Sequence, residues 1–318
     1  MTQARLSRSD IKTLTLSSLG GALEFYDFII FLSFADILQR LFFPADAPLL
    51  ALIMTYSTYA VAYFVRPLSG ILLAHFGDLF GRKNAFMLSL FLMAIPTLLI
   101  GLLPTYETAG VIAPLLLLLM RLLQGIALGG EVPSAHVFVT EHLPKQHAGI
   151  ANSMIASGLT LGVLIGHGVS YLLNHLFTAD EILLYAWRLP FLLGGLLGFF
   201  ALYLRQYLQE TPIFIAMKQA RTLSKETPLK RILTEHRRAT IVAILTTWLL
   251  ITGVVLVVLA PGLMRTEFAL DPLFVSRVAL LATLMNIIGS LLAGILADRL
   301  GVLPTTALFA LLLGVTSL

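Results

Sequence analysis

Two carboxylates stand three residues apart in the otherwise apolar stretch GALEFYDFII, where Glu24 and Asp27 share one face of a helix. A charge in apolar surroundings is costly unless another charge or hydrogen bonds compensate it, so such residues mark places of chemistry. A second apolar stretch, RLLQGIALGGEVP, contains Arg121 and Glu131. An arginine facing Asp27 keeps the acid ionised, and separation of the pair favours the protonated acid. The sequence therefore predicts a proton-binding carboxylate, Asp27, that is controlled by Arg121 and tuned by Glu24.

The elements that hold these residues are long and apolar. Of the 318 residues, 58% are hydrophobic and 12% are charged, whereas soluble domains have about 25% charged residues. Runs of roughly 20 apolar residues cross a bilayer as helices. Such runs occupy about 14–43, 50–76, 85–104, 111–139, 149–177, 186–207, 239–263 and 273–297, and a ninth begins near 303. The pattern predicts an all-α polytopic membrane protein.

The basic residues lie on one side of this helix pattern. They occur in the N-terminal tail, in the loop with Arg82 and Lys83, and above all in the polar stretch counted from Arg205 to Arg238. The intervening loops PADAP, PTYETAG and FTADEILLYA contain no Lys or Arg. Because Lys and Arg collect on the cytoplasmic side of membrane proteins, we expect a cytoplasmic N-terminus in a multi-pass protein of the cell (inner or plasma) membrane.

Several classes of function are excluded by residues that the sequence lacks. There is no cysteine, which excludes disulfides, zinc–thiolate sites and cysteine nucleophiles. No H-E-x-x-H, G-x-S-x-G or P-loop motif is present, and His136 and His167 have no neighbours of metal-ligand type. The net charge of +4 needs no nucleic acid partner, since basic loops explain it. We therefore predict no enzyme, no cofactor and no metal site.

A weak internal repeat organises the chain. A shift of 220 residues places GDLFGRK over ADRLGVL, so that Asp78 falls on Asp298. Parallel repeats of this kind build transporters from two helix bundles. The repeat predicts an N-terminal six-helix bundle over 1–207, a cytoplasmic linker over 208–238, and the start of a second bundle over 239–318 that is truncated in its third helix.

Short motifs along the chain resemble those of one transporter superfamily. The loop AHFGDLFGRK resembles the signature G-x-x-x-D-R-x-G-R-R/K, with departures at Ala74 and Leu79, and GILADRLG resembles it again. EHLPKQHAG resembles E-x-x-P-x-x-x-R-G and keeps Glu141, but has Ala148 where arginine is usual. With EFYDF, RPLSG, WRLPFLL and LRQYLQETPIF, these motifs make residues 17–318 similar to the metabolite:proton symporters of the major facilitator superfamily.

The resemblance implies a major facilitator fold and a transporter that moves a small metabolite with protons. Members of that family carry citrate, 2-oxoglutarate, shikimate, proline or betaine. The resemblance implies that Asp27 carries the proton, that Arg121 is its partner and that Glu24 is the second acid of the first helix. It also implies a cytoplasmic gate between the bundles. The gate candidates are Asp78, Gly81, Arg82, Lys83, Glu131, Glu141, Asp298 and Arg299.

The substrate is less defined by the sequence. The substrate-binding candidates are Tyr26, Arg66, Arg121, Gln124, Thr246, Thr247, Trp248 and Asn286. The arginines favour an organic acid as the substrate. We expect transport by alternating access, and we expect the protein to be a monomer in the lipid bilayer. A proline- or betaine-type osmolyte symporter is the alternative, as is a non-transporting sensor or fragment derived from a transporter. For Arg66 and Glu131, a structural ion pair and a functional role are both open.

Overall fold

The computed structural model of the chain describes residues 6–43, 48–220, 235–247, 264, 268 and 272–316. These residues form helices joined by short turns, and they contain no strand. The helices are α1 Arg8–Ser33, α2 Ala35–Phe42, α3 Pro48–Phe80, α4 Arg82–Ile100, α5 Tyr106–Ala109, α6 Ile112–His142, α7 Ala148–Leu176, α8 Ala179–Glu181, α9 Arg188–Arg205, α10 Pro212–Gln219, α11 Pro272–Leu300 and α12 Val302–Thr316. Seven helices of this described part are long and apolar enough to cross a bilayer.

The first predicted helix differs from the observed one. A single helix over 14–43 is wrong, because the chain leaves helical geometry at Phe34 (φ −107°, ψ 12°) and then continues as the short α2. The break places the Phe34 and Phe42 side chains in an apolar cluster around Trp187. At the other end, α1 begins at Arg8 because Ser7 and Asp10 form a reciprocal capping box, which satisfies backbone N–H groups of the first turn.

Two helices occupy the centre of the first compact unit, which comprises Met1–Leu223 and Ile287–Leu318. α1 packs against α6, α7 and α9, while α6 also packs against α3 and α4. Consequently the charged residues in the middle of α1 and α6 are buried against other helices: Glu24, Asp27, Arg121 and Glu131. The second unit, Ser224–Asn286, is helical over its described residues 237–247 and 272–286.

Close approach of α1 and α7 depends on glycine. Gly158 and Gly162 of α7 lie against the backbones of Ser18 and Ala22, and Gly166 lies against the Ile29 side chain. A methyl group at any of these three positions would overlap α1. This stripe of small residues lets two membrane helices pack tightly, and it fixes the face of α1 that turns away from α7 toward α4 and α6.

The two turns related by the 220-residue shift share a backbone geometry. α3 ends at Phe80 and α4 begins at Arg82, while α11 ends at Leu300 and α12 begins at Val302. Each turn consists of one glycine with positive φ, 112° at Gly81 and 93° at Gly301. A side chain is strained in this conformation. The structural correspondence supports the repeat that the sequence suggests.

Candidate functional site

Asp27 is the centre of a buried hydrogen-bond network between α1, α4 and α6. Its Oδ2 accepts from Arg121 Nη1 at 2.7 Å. Its Oδ1 accepts from Thr97 Oγ1 at 3.1 Å and from Gln124 Nε2 at 2.9 Å. Only 7% of the Asp27 side chain and 4% of the Arg121 side chain are exposed. The structure thus brings together the proposed proton carrier, its arginine partner and Gln124.

The Asp27–Arg121 pair is incompletely satisfied. The Phe31 ring lies 3.7 Å from the Arg121 guanidinium carbon and covers one face of it. Arg121 Nε and Nη2 and Gln124 Oε1 are buried without a hydrogen-bond partner among the residues that the structure describes. Buried polar groups in this condition are unusual in folded proteins. A second arrangement of these side chains, or an added ligand, would therefore meet little competition from existing bonds.

Tyr26 takes a structural position. Its hydroxyl donates to the Pro190 carbonyl at 2.7 Å, and the side chain is 2% exposed. This bond ties α1 to the start of α9 beside Asp27. Tyr26, proposed as a substrate contact, faces the interior of the unit.

Glu24 and Arg66 form a second pair between α1 and α3. Glu24 Oε1 accepts from Arg66 Nη2 at 2.7 Å. The Glu24 side chain is 3% exposed, whereas 31% of Arg66 is exposed. Of the two roles left open for Arg66, the structure shows the ion pair while leaving about a third of the Arg66 side chain exposed.

Glu131 belongs to a third pair and not to the loop charges with which it was grouped. Its Oε1 accepts from Arg205 Nη2 at 2.5 Å and its Oε2 from Ser89 Oγ at 2.5 Å; both charged side chains are 0% exposed. The remaining Arg205 donors bond the carbonyls of Leu16, Ser17 and Phe86. Arg205 was counted with the loop residues, but it ends α9 inside the core.

Most of the predicted gate residues do meet at the N-terminal end of α4. Arg82 pairs with Asp78 and lies 3.4 Å from Glu141. Lys83 donates its backbone N–H to Glu210 at 3.1 Å, so this carboxylate caps α4 beside Gly81. A methyl group at Gly81 would strike the Glu210 carboxylate.

The sequence reasoning used the segment after α9, LRQYLQETPIF, only as a family motif and missed the contacts of Glu210 and Thr211. Thr211 donates to Glu141 at 2.6 Å and also caps α10. Glu210 and Thr211 stand together before a proline. A Thr-Pro pair is a sequence signature of a helix start, and that signal identifies the cap, although not its bond to Glu141.

Asp298 caps the start of α7. Its carboxylate accepts from Gly149 N at 2.6 Å and from Ile150 N at 2.9 Å, which places a negative charge at the positive end of the helix dipole. A methyl group at Gly149 would strike Gly294 and Asp298. Arg299, next to it in the sequence, is exposed.

The substrate candidates of the second half are described only in part. Thr246 and Thr247 donate to the carbonyls of Val242 and Ala243 in their own helix. Asn286 is exposed, and Trp248 lies outside the described residues. Within the described residues there is no group of three or more His, Cys, Asp or Glu residues that could hold a metal ion.

A family model described as the Major Facilitator Superfamily matches residues 17–318. An inner membrane metabolite transport protein of Escherichia coli K12 is 38% identical over 72% of this chain and 52% of its own length. A proline/betaine transporter of Salmonella typhimurium LT2 is 37% identical over 64% of this chain and 41% of its own. The shikimate transporter of Escherichia coli K12 is 34% identical over 70% and 52%.

A solved structure of a proton:xylose symporter superposes with a TM-score of 0.71 at 17% sequence identity. The superposition covers 91% of this chain and 69% of the symporter chain. The chain spans about half the length of the curated relatives it matches, since the shares of their own length are 52% and 41%.

Proposed function

Because the chain belongs to the Major Facilitator Superfamily, we propose that it carries the proton-coupling half of a symporter for a small polar metabolite. Family membership confirms the predicted fold class, and it confirms the prediction against an enzyme, because the relatives are transporters. The single observation that carries the proposal is the incompletely satisfied Asp27–Arg121 pair at the centre of the first unit.

The chemistry of that pair supports proton coupling. With Arg121 adjacent, Asp27 is favoured as a carboxylate that accepts three hydrogen bonds. If the helices rock apart during alternating access, the ionised acid loses its partner in surroundings of low polarity and takes up a proton. Arg121 therefore makes the protonation of Asp27 depend on conformation.

The substrate class is a small metabolite that carries a carboxylate. The named relatives transport shikimate, proline or betaine, and each of these compounds has a carboxylate group. An organic acid is the first candidate because Arg66 offers a partly exposed cation. An osmolyte of the proline or betaine type is the second candidate, and the identity to proline/betaine transporters favours it.

The proposed orientation rests on the basic loops, and the proposed gate rests on the contacts between loop residues. We assign the end with Gly81 and the N-terminus to the cytoplasmic side, since basic loops collect there. The Asp78–Arg82–Glu141 cluster and the Asp298 cap on α7 would hold this side closed. In this proposal the protein works as a monomer in the inner membrane.

The test is uptake by the protein expressed from its full reading frame in proteoliposomes, with shikimate, proline and glycine betaine. Asp27→Asn should abolish accumulation driven by a pH gradient while leaving exchange of substrate for substrate. Arg121→Ala should impair both, because it also removes a possible substrate contact. The exposed Glu107 provides a matched control as Glu107→Gln, which should behave like wild type.

Accumulation by Asp27→Asn with protons as the only driving force would assign the carrier role to another acid. Absence of both uptake and exchange in the wild-type protein, for every metabolite offered, would instead support the sensor alternative.

A further inference from the structure

Three carboxylate–guanidinium pairs join α1 or α6 to another helix, and their arginine side chains differ in exposure. The arginine side chains are 0% exposed at Arg205, 4% at Arg121 and 31% at Arg66. Of these three arginines, Arg66 is the one that a ligand can contact without first separating packed helices.

The acid paired with Arg66 has an unused oxygen. Glu24 is 3% exposed, and its Oε1 accepts from Arg66 Nη2. Its Oε2 is buried without a hydrogen-bond partner among the residues that the structure describes. The charged groups facing Glu24 are Arg66 on α3, Glu131 on α6 and Asp27 one turn along α1. Asp27 and Glu131 are each paired with an arginine of their own, so Arg66 is the cation that compensates ionised Glu24.

We propose that Arg66 and Glu24 form a site at which a substrate carboxylate is exchanged for a proton. The substrate carboxylate accepts the Arg66 N–H that Glu24 now accepts, and Glu24 takes a proton from water to become a neutral acid. When the substrate leaves, the proton returns to water and the ion pair forms again.

Charge balance fixes one proton per carboxylate. Before binding, the site holds one cation and one anion; afterwards Arg66 and the substrate carboxylate are the ion pair and Glu24 is neutral. Without the proton, two carboxylates would share one guanidinium beside Asp27 and Glu131, which is unfavourable in a site of low polarity. This inference rests on the proposed function and adds the place where substrate and proton meet.

An aromatic pair beside Arg66 distinguishes two candidate substrates, glycine betaine and shikimate. Tyr63 lies one helical turn before Arg66, and its ring meets Phe28 edge-on at 6.4 Å. A quaternary ammonium group is attracted to the face of an aromatic ring. Glycine betaine would use both Arg66 and Tyr63, whereas shikimate, which has no cation, would need Arg66 alone.

The experiment counts the protons taken up on binding. The detergent-solubilised protein from the full reading frame is titrated calorimetrically with shikimate and, separately, with glycine betaine, in two buffers of different ionisation enthalpy. We expect about one proton per ligand in the wild-type protein, and an affinity that falls about tenfold per pH unit in alkali, the slope of one linked proton. Addition of choline, which lacks the carboxylate of betaine, should cause no proton uptake by the protein.

Variants of the site test whether Glu24 is the group that takes up this proton. Glu24→Gln should bind the ligand with almost no proton uptake and little pH dependence, while Glu107→Gln should match wild type. Arg66→Gln should weaken binding roughly tenfold or more, as expected for loss of a hydrogen bond to a charged group. Tyr63→Leu should weaken only glycine betaine if the osmolyte is the substrate, and neither ligand if the organic acid is.

Undiminished proton uptake in Glu24→Gln, or unchanged affinity in Arg66→Gln, would overturn the proposal. So would failure of shikimate, glycine betaine, proline, citrate and 2-oxoglutarate all to bind. Asp27→Asn separates this inference from the proposed function: it should keep the proton uptake on binding even though it loses driven accumulation. If Glu24→Gln does not fold, the pH dependence of wild-type affinity decides, because a flat profile excludes a linked proton.

Discussion

Two buried ion pairs of the central helix α6 illustrate opposite uses of one chemistry, one made with α9 and the other with α1. Glu131 and Arg205 are fully enclosed, and every donor of Arg205 has an acceptor. Asp27 and Arg121 are almost as buried, yet two guanidinium nitrogens of Arg121 find no acceptor among the described residues.

The difference lies in how much would be lost if each pair separated. Moving Arg205 away from Glu131 breaks its bonds to three backbone carbonyls as well as the ion pair. A buried charge left alone is strongly destabilising. The Asp27–Arg121 pair has fewer bonds to lose, and Thr97 and Gln124 continue to bond the acid when the arginine moves. Completeness of hydrogen bonding thus separates a static pair from one that can switch.

Neutralising the two acids gives the largest contrast. Glu131→Gln should lower the free energy of unfolding by roughly 3–5 kcal/mol, the usual cost of leaving one buried charge without its partner. Asp27→Asn should lower it by less, roughly 1–3 kcal/mol, because the Asn amide oxygen can still accept from Arg121 while its amide nitrogen donates to Gln124 Oε1, which has no partner among the described residues. Denaturant unfolding in mixed micelles measures both, and equal losses would remove the distinction between the pairs.

Enlarging Gly20 tests the static pair from its other side. A methyl group there would strike Glu131 Oε1 and Arg205 Nη2, whereas a methyl group at Gly21 would meet only the end of the Leu159 side chain. Gly20→Ala should cost roughly 1–3 kcal/mol through overpacking, and the control Gly21→Ala should cost less because a leucine tip can turn. A smaller loss for Gly20→Ala would mean that the pair tolerates displacement.

The two repeat-related turns, at Gly81 and Gly301, allow a similar comparison between a turn with a carboxylate cap and one without. Alanine at either position should cost about 1–2 kcal/mol because φ is positive. Gly81→Ala should cost more, since its methyl group also displaces the Glu210 cap, while the methyl group at Gly301 meets only Pro304 at 3.8 Å. Thermal unfolding of the two variants side by side measures the difference; identical shifts would show that the Glu210 cap adds little.

A partly exposed carboxylate gives the smallest effect. Thr178 donates its backbone N–H and its hydroxyl to Glu181, and these bonds lower the pKa of that partly exposed acid. A lowered pKa means that the capping box stabilises the fold above the unfolded pKa and is lost as pH falls through the folded value. Hydrogen exchange at the Thr178 amide should therefore quicken in acid relative to its intrinsic rate. Glu181→Gln should remove this pH dependence, and its persistence in that variant would point to a different acid.

Seven of the long apolar runs are spanning helices in the described part of the chain, because length and hydropathy determine such helices before any packing does. The run predicted over 239–263 lies largely outside the described residues. Asp27 and Arg121 stood out because both lie near the middle of such runs. Arg205 was misplaced because it stands where an apolar run meets a polar stretch, and only packing against α1 and α4 shows that it turns inward. The break at Phe34 has no proline or glycine to announce it. Which acid pairs with which arginine depends on contacts between helices, and these have no signature in local sequence.

Gly20 has a consequence for the history of the sequence. As long as Arg205 and Glu131 fill the space beside it, no residue with a side chain fits there without displacing one of them. A lineage that loses the pair to apolar residues would release position 20 from glycine, and a lineage that first gains a side chain at 20 would be expected to lose the pair. Positions 20, 131 and 205 should thus change together in descendants of this protein, although 185 residues separate the first from the last.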